Sequence, residues 1–351
     1  MGFFKRRRKL ERMDTRIFHL DEINQAAKAI QDGKLVAFPT ETVYGLGADA
    51  TNEAAVKNVY LAKGRPSDNP LIVHVASIEM VEKYASEIPD NARKLMKEFW
   101  PGSLTIILNI KKGVLSKTVT GGLSTVAFRF SDCQPTLDLI KEAGVPIVGP
   151  SANTSGKPSP TTAQHVYHDL HGKIAGIIDN GPTRVGVEST VLDMSTDQPV
   201  ILRPGAVTKH QIEEVIGSID LNHHHVGKNE TPKAPGMKYK HYAPNAQVYI
   251  VDEGSDWKQV VDWIKQQPFD VGMMAEEKIL QQSTLPMNAI QFSLGKNVAD
   301  ASARLFDGLR QFDDQPNVKA IVTQAFPAKD LGRAYMNRLN KSAGGEHFAT
   351  K

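Results

Sequence analysis

The chain is predicted to be an α/β protein in two units, because short apolar runs alternate with amphipathic ones, the alternation slackens once, and it then resumes on a smaller scale. Its 351 residues exceed what one hydrophobic core comfortably fills. An apolar share of 40% beside a charged share of 23% is that of an ordinary globular chain, not of a disordered one.

A first helix is predicted from Asp21, a capping residue, through Ile23, Ala26, Ala27 and Ile30 at helical spacing, to Gly33, which ends it. A buried strand follows at 35–38 and stops at Pro39. Residues 53–62 read as a helix with Ala55, Val56 and Val59 inward. The pattern repeats in strands at 71–75, 104–110, 125–130, 145–148 and 200–202, with helices at 92–99 and 136–143. Such alternation calls for a sheet covered on both faces.

From Ala206 the pattern loosens into a stretch with His223, His224, His225, Gly227, Pro232, Pro235, Gly236 and Pro244, which reads as a connection over 206–246. Strands at 248–251, 271–274, 289–292 and 320–322 then alternate with helices at 257–266, 298–312 and 331–342. By pattern this is a small Rossmann-like unit over 247–345. The main unit spans 16–205, after a basic mobile tail over 1–15.

That tail carries Lys5-Arg6-Arg7-Arg8-Lys9, but leads to Glu11, Arg12 and Asp14 instead of an apolar segment, so it is not a secretory signal. It reads as solvated, with weak RNA binding as its functional alternative. No apolar run approaches a membrane span, and the lone Cys133 excludes both an intramolecular disulfide and a thiolate zinc cage. A cytoplasmic location is the expectation. The formal charge of +3 is too small to steer a partner, so any affinity for phosphate must come from local clusters.

Two glycine-rich strings imitate nucleotide motifs and fail on detail. Gly45-Leu46-Gly47-Ala48-Asp49-Ala50 fits the dinucleotide fingerprint, yet residues 39–44 stand between it and the strand it should follow. Gly144 to Ser151 has phosphate-loop spacing but carries Pro150 where the lysine must be.

Four other segments place small polar or cationic groups just beyond strand ends, where open α/β sheets bind ligands. They are Pro39 to Gly47; Lys63 to Pro70, with two cations on a proline-stiffened loop suited to a polyphosphate; Pro150 to Gly156; and Gly186 to Thr190 together with Arg203-Pro204-Gly205. Singly each has a plain explanation. Lys63 and Arg65 fit solvated charges, Ser151 and Asn153 a turn cap, and Arg203 a surface ion pair.

Together, Lys63 and Arg65 followed downstream by Ser151 and Asn153, and the phrase Ala234 to Pro244, resemble the YrdC-type threonylcarbamoyl-AMP synthases in their longer, two-domain form. The resemblance is dense from Ile17 to Arg203. It implies a twisted, open, mixed sheet and a nucleotidyltransferase reaction, in which ATP, L-threonine and bicarbonate give threonylcarbamoyl-AMP and pyrophosphate. The product would pass to a tRNA threonylcarbamoyl-transferase complex, and magnesium would accompany ATP without a protein-built cage.

Carried over residue by residue, the resemblance turns Thr42, His74, Arg129, Ser151 and Ser189 toward threonine, with Arg129 clamping its carboxylate. Lys63, Arg65, Asn69, Thr125, Asn153, Thr161, Arg203 and Tyr242 would contact ATP. Lys63 and Arg65 are the expected catalytic stabilisers of the departing pyrophosphate, and Tyr242 would bring the linker over the pocket as a lid. His74 also fits a hydrogen-bonded core histidine. The rival readings are a hydrogenase-maturation carbamoyltransferase, weakened by the lack of zinc-binding cysteines, and a double-stranded RNA binding module.

Overall fold

A computed structural model describes residues 13–67, 69–221, 232, 233 and 241–349. The basic run 5–9, Asp68, the histidine run 223–225 and the linker residues 234–240 lie outside the described residues.

Among the described residues eleven strands form one sheet: β1 (Arg16–Phe18), β2 (Val36–Phe38), β3 (Gly45–Asp49), β4 (Ile72–His74), β5 (Leu104–Asn109), β6 (Thr125–Arg129), β7 (Ile147–Val148), β8 (Gly176–Ile178), β9 (Thr190–Asp193), β10 (Val200–Arg203) and β11 (Asp220–Leu221). Their order is β1-β8-β2-β3-β7-β4-β6-β5-β9-β10-β11. The sheet is mixed: β4 and β6 run parallel, as do β5 and β9, while β5–β6 and β9–β10 are antiparallel.

The two faces of its centre differ in chemistry. Val148, Val73, Phe128, Ile106 and Leu192 pair in register across five strands and enter the main core, with Leu95 and Met96 from the helix Asp90–Phe99. The next row belongs to the other face, because neighbouring strand residues point oppositely. There His74 pairs with Arg129, Arg129 with Thr105, Thr105 with Val191, and Val191 with Arg203. A small apolar cluster of Ile72, Ala127, Ile107 and Val191 underlies this polar row.

The second unit holds β12 (Gln247–Val251), β13 (Asp270–Ala275), β14 (Ala289–Ser293) and β15 (Val318–Gln324), all parallel, in the order β12-β15-β13-β14. Helices cover both faces, as expected of a parallel sheet. Within the unit the strands run 3-2-4-1, unlike the 3-2-1-4 core of a dinucleotide fold.

Several sequence expectations are corrected. Asp21 does not cap: it lies in the 3-10 turn Leu20–Glu22, where the Glu22 carboxylate accepts from the His19 amide at 3.0 Å, and the helix proper is Ile23–Gln31. The glycine string 45–50 is not an exposed turn, since Gly45–Asp49 is a buried strand. A Cβ at Gly45 would meet the Phe38 ring at 2.6 Å, and one at Gly47 the Val36 carbonyl at 2.6 Å. Those glycines make room for backbone and an aromatic ring. The stretch read as a connection carries the helix Lys209–Ile216 and the edge strand β11, which pairs with β10. A Thr208–Gln211 capping box starts that helix, but only Ile212 is fully buried, which left its periodicity faint.

The units meet closely where the helix Val298–Asp313 crosses Gly186, whose φ is +74°. A Cβ there would lie 2.4 Å from both the Ala303 Cα and the Ser302 carbonyl oxygen. Gly186→Ala should therefore cost roughly 1–3 kcal/mol. Urea denaturation checks this, and an unchanged midpoint would show that the contact is not tight.

Candidate active site

The site is built on the polar row, from loops that follow the strands. After β2 the chain turns at Thr40, whose hydroxyl accepts from the amides of Thr42 and Val43 and lies 2.9 Å from the Thr42 hydroxyl. This turn presents Glu41 to Arg129. The Arg129 Nη2 stands 2.8 Å from Glu41 Oε1, and both side chains are no more than 5% exposed. Glu41 also accepts from Ser103 at 2.9 Å and Ser131 at 2.5 Å. Burial alone would raise the Glu41 pKa, but the charge of Arg129 and the Ser131 and Arg129 hydrogen bonds outweigh it and hold it at about 2. With Glu41 on one side, the guanidinium keeps a buried Nε that has no hydrogen-bond partner among the described residues.

His74 closes β4 with its ring edge-on to Phe38, centroids 5.0 Å apart. Gly149 lets it sit there, since a Cβ would overlap both rings. Burial first, then the Arg129 charge, pushes its pKa down to about 3, so the imidazole is neutral at physiological pH. Its Nδ1 also lacks a partner. His74 is thus buried, as the core reading expects, yet not satisfied.

Lys63 ends the helix Glu53–Lys63 and points inward, its ammonium donating to the carbonyls of Ser151 and of Asn153, the latter at 2.7 Å. The Ser151 hydroxyl donates to Asn153 Oδ1 at 2.6 Å. Burial first, and then Arg65, lowers the Lys63 pKa well below the usual lysine value. Arg65 reaches the Asn69 carbonyl at 3.4 Å and lies over the Tyr60 ring. Asn69 is fully buried with neither amide atom partnered among the described residues.

At the far end of the row Arg203 donates through Nε and Nη2 to the Ser189 carbonyl at 3.1 and 3.0 Å, and through Nη2 to its hydroxyl at 3.2 Å. The Ser189 hydroxyl is 2.8 Å from that of Thr105. Thr125 opens β6 on the Arg129 face, about 13 Å along the strand. Thr161 donates its amide to His165 Nδ1 at 3.2 Å. Tyr242 is buried in the core of the second unit, its ring 5.1 Å from Phe306 and its hydroxyl turned to Glu188.

The structure therefore gathers Lys63, Ser151 and Asn153 in one hydrogen-bonded group. Thr42, His74 and Arg129 surround Glu41, and Ser189, Arg203 and Tyr242 meet around Glu188. Thr125 and Thr161 stand at the margins.

Residues that sequence reasoning gave no role complete the seam between the units. Glu188 accepts from Ser159 at 2.5 Å and from Arg338 Nε at 2.9 Å. Burial opposes its ionisation, but Arg338 and Arg203 hold its pKa at about 2. Arg310 forms a two-pronged pair with Asp169, both contacts 3.1 Å, and Asp169 in turn accepts from the Thr154 amide. The signal for Arg338 lies in its helix, Asp330–Ala343, where it shares a face with Ala334 and Ser342 beside Tyr335 and Leu339, all buried. An arginine on the apolar side of an amphipathic helix is rarely idle.

A mixed sheet with its core on one face and a polar row on the other, roofed by a small parallel α/β unit, defines a two-domain α/β protein with a cationic site between its units. Comparisons with known proteins agree. The family described as "Telomere recombination", which groups Sua5, yciO and yrdC, matches residues 28–205, and that described as "Threonylcarbamoyl-AMP synthase, C-terminal domain" matches 207–344. The chain is 50% identical over 327 residues to the threonylcarbamoyl-AMP synthase of Bacillus subtilis, covering 92% of this chain and 93% of that protein. To that of Pyrococcus abyssi it is 47% identical over 329 residues, covering 92% and 94%. The crystal structure of P. abyssi Sua5 complexed with L-threonine superposes with a TM-score of 0.87 at 45% identity, over 97% of this chain and 99% of that one. The chain belongs to the threonylcarbamoyl-AMP synthase family.

The lowered pKa values have a consequence for stability. Glu41 and Glu188 titrate near 2 when folded, against 4.5 for an unperturbed carboxyl. Their stabilisation is complete above pH 4.5 and is lost as the pH falls toward 2, on the order of 3 kcal/mol for each. The urea midpoint should drop over that interval. Glu188→Gln, already less stable at pH 7, should drop less, and a parallel decline in both proteins would count against the pairing.

Proposed function

We propose that the protein makes threonylcarbamoyl-AMP and pyrophosphate from ATP, L-threonine and bicarbonate, at the face of the sheet that carries His74, Arg129 and Arg203. The observation that carries this reading is a set of buried polar atoms without partners among the described residues: the Nδ1 of His74 and the Nε of Arg129 in the polar row, and both amide atoms of Asn69. Buried polar groups are ordinarily satisfied, so such atoms mark where a ligand's polar groups belong.

The amine of threonine forms a C–N bond to bicarbonate as a C–O bond breaks and water leaves, giving a carbamate whose oxygen attacks the α-phosphorus. The new P–O bond forms as the bond to the β-phosphate oxygen breaks, and pyrophosphate leaves with the electron pair. Carbamates decompose in water, which favours a site closed between two units. In this reading Arg129 pairs with the threonine carboxylate through its spare Nε, while Thr42, Ser151, Ser189 and the neutral His74 surround the rest of the amino acid. Lys63 and Arg65 balance charge developing on pyrophosphate, and Asn69, Thr125, Asn153, Thr161, Arg203 and Tyr242 hold the nucleotide.

Among the described residues no group of three or more His, Cys, Asp or Glu could hold a metal ion. Glu41, Asp169 and Glu188 are each committed to an arginine. Magnesium accordingly enters in this proposal as part of the substrate, carried on the triphosphate, where it neutralises phosphate oxygens.

The adenylate would then pass to a separate tRNA-modifying transferase complex in the cytoplasm. No helix among the described residues is long and apolar enough to cross a membrane. A double-stranded RNA module is disfavoured because Lys63, Arg129 and Arg203 are at most 5% exposed, out of reach of a phosphate backbone. Weak RNA contact would fall to the basic tail.

Two measurements test the assignment. With hydroxyls lining the amino-acid site, valine, which lacks the hydroxyl of threonine, should be a far poorer substrate than serine, which lacks only the methyl. Pyrophosphate release with each amino acid decides it, and valine outperforming serine would refute the pocket. Lys63→Ala and Arg65→Ala should each lower kcat by roughly tenfold or more; near-normal turnover in both would remove them from the chemistry.

A further inference from the structure

The segments 188–189 and 203–205 lie back to back in the first unit, so close that a Cβ on Gly205 would stand 2.1 Å from the Thr190 amide nitrogen and 2.7 Å from the Glu188 carbonyl oxygen. One side chain of the second unit closes this seam. Arg338, wholly buried, donates Nε to Glu188 Oε2 at 2.9 Å, Nη2 to the Glu188 carbonyl at 3.1 Å and Nη1 to the Pro204 carbonyl at 2.6 Å. The residues that follow and precede those carbonyls are Ser189 and Arg203, themselves bonded to each other.

We propose that Arg338 is a positioning residue for threonine: by holding Glu188 and Pro204 with a single guanidinium, it sets the Ser189 hydroxyl and its Arg203 support where the amino acid meets them. The proposal rests on the activity given above and assigns to the second domain a part in amino-acid binding. A planar guanidinium offers donors along both edges in a fixed geometry, and three acceptors on two chain segments use them. A lysine in its place could reach the carboxylate but not span the seam. Docking of the two units does not by itself require this arrangement. Arg310 supplies a second buried pair across the interface, to Asp169 and to the Pro158 carbonyl, and neither acceptor lies on the 188–189 or 203–205 segments.

That second pair provides the control. Arg338→Met, Arg338→Lys and Arg310→Met are compared in the full chain by threonine-dependent pyrophosphate release, with KM for threonine and for ATP measured separately and thermal midpoints recorded. Arg338→Met should raise KM for threonine by roughly tenfold or more and that for ATP by less than about threefold, since of the proposed nucleotide contacts Arg203 and Tyr242 border Glu188, while Lys63 and Asn153 are bonded to each other in a separate group with Ser151. Arg338→Lys should fall between, at about threefold or more. Arg310→Met, at a similar loss of thermal midpoint, should leave the threonine KM within about twofold. Equal rises in the Arg338 and Arg310 variants would make Arg338 a docking contact only and overturn the proposal, as would a wild-type threonine KM in folded Arg338→Lys. If Arg338→Met does not fold, the lysine variant decides on the same ratio of the two KM values. Failure of the unaltered chain to release pyrophosphate in response to threonine would instead overturn the activity, a result visible before any variant is made.

Discussion

Charge compensation in a buried place is the constraint on which this structure depends. Lys63, Arg129, Arg203, Arg310 and Arg338 are all under one tenth exposed, and they converge where the two units meet. A lone cation so placed would be strongly destabilising, because desolvation exceeds what distant charges return. Three carboxylates make the arrangement possible: Glu41 holds Arg129, Asp169 holds Arg310, and Glu188 holds Arg338 with Arg203 nearby. Five cations against three anions leave an excess of positive charge. In the proposed reaction a triphosphate would supply the charge that offsets this excess.

The sheet is what keeps these charges out of the core. Because side chains alternate across a strand, a single register places Val73, Phe128, Ile106 and Leu192 among the apolar residues and His74, Arg129 and Thr105 on the opposite side. A shift of one residue in β6 would send Arg129 into the main core, and the same slip in β4 would send His74 there. Folding and the placement of the proposed site therefore share one specification, and the second unit meets the first at Gly186, Glu188 and Pro204, beside the Arg203 end of that face. This also explains why the seam is cemented by ion pairs: an apolar roof over Arg129 and Arg203 would bury them with fewer partners still.

Local chemistry was readable from sequence, and long-range pairing was not. Lys63, Arg65, Ser151 and Asn153 stood out as cations and short polar groups at strand ends, and the structure brings Lys63 against both Ser151 and Asn153. The row His74–Arg129–Thr105–Val191–Arg203 draws on residues up to 129 positions apart in the chain, and no local periodicity reveals that they are neighbours. β3 is hidden in sequence because its glycines imitate a nucleotide fingerprint, when their purpose is close packing against Phe38. Short strands such as β1 and β8 offer three residues each, too few for a pattern to emerge. Arg310 and Arg338 have no role assigned from sequence, although each sits on the buried side of its amphipathic helix.

Lys63 belongs to both the fold and the proposed site. Its ammonium is engaged by the carbonyls of Ser151 and Asn153, a role that is structural, since it ties the end of one helix to a turn beyond β7. Yet carbonyl dipoles do not neutralise a charge, and burial together with the neighbouring Arg65 lowers the lysine pKa well below its usual value. In the proposed reaction a phosphate beside Lys63 would favour the charged form, and the ammonium is already held in place by the two carbonyls. The fold thus positions the residue before the proposed ligand arrives. Electrostatic stabilisation of this kind costs little reorganisation at the moment of reaction, and it follows from placing a cation where only backbone oxygens greet it first.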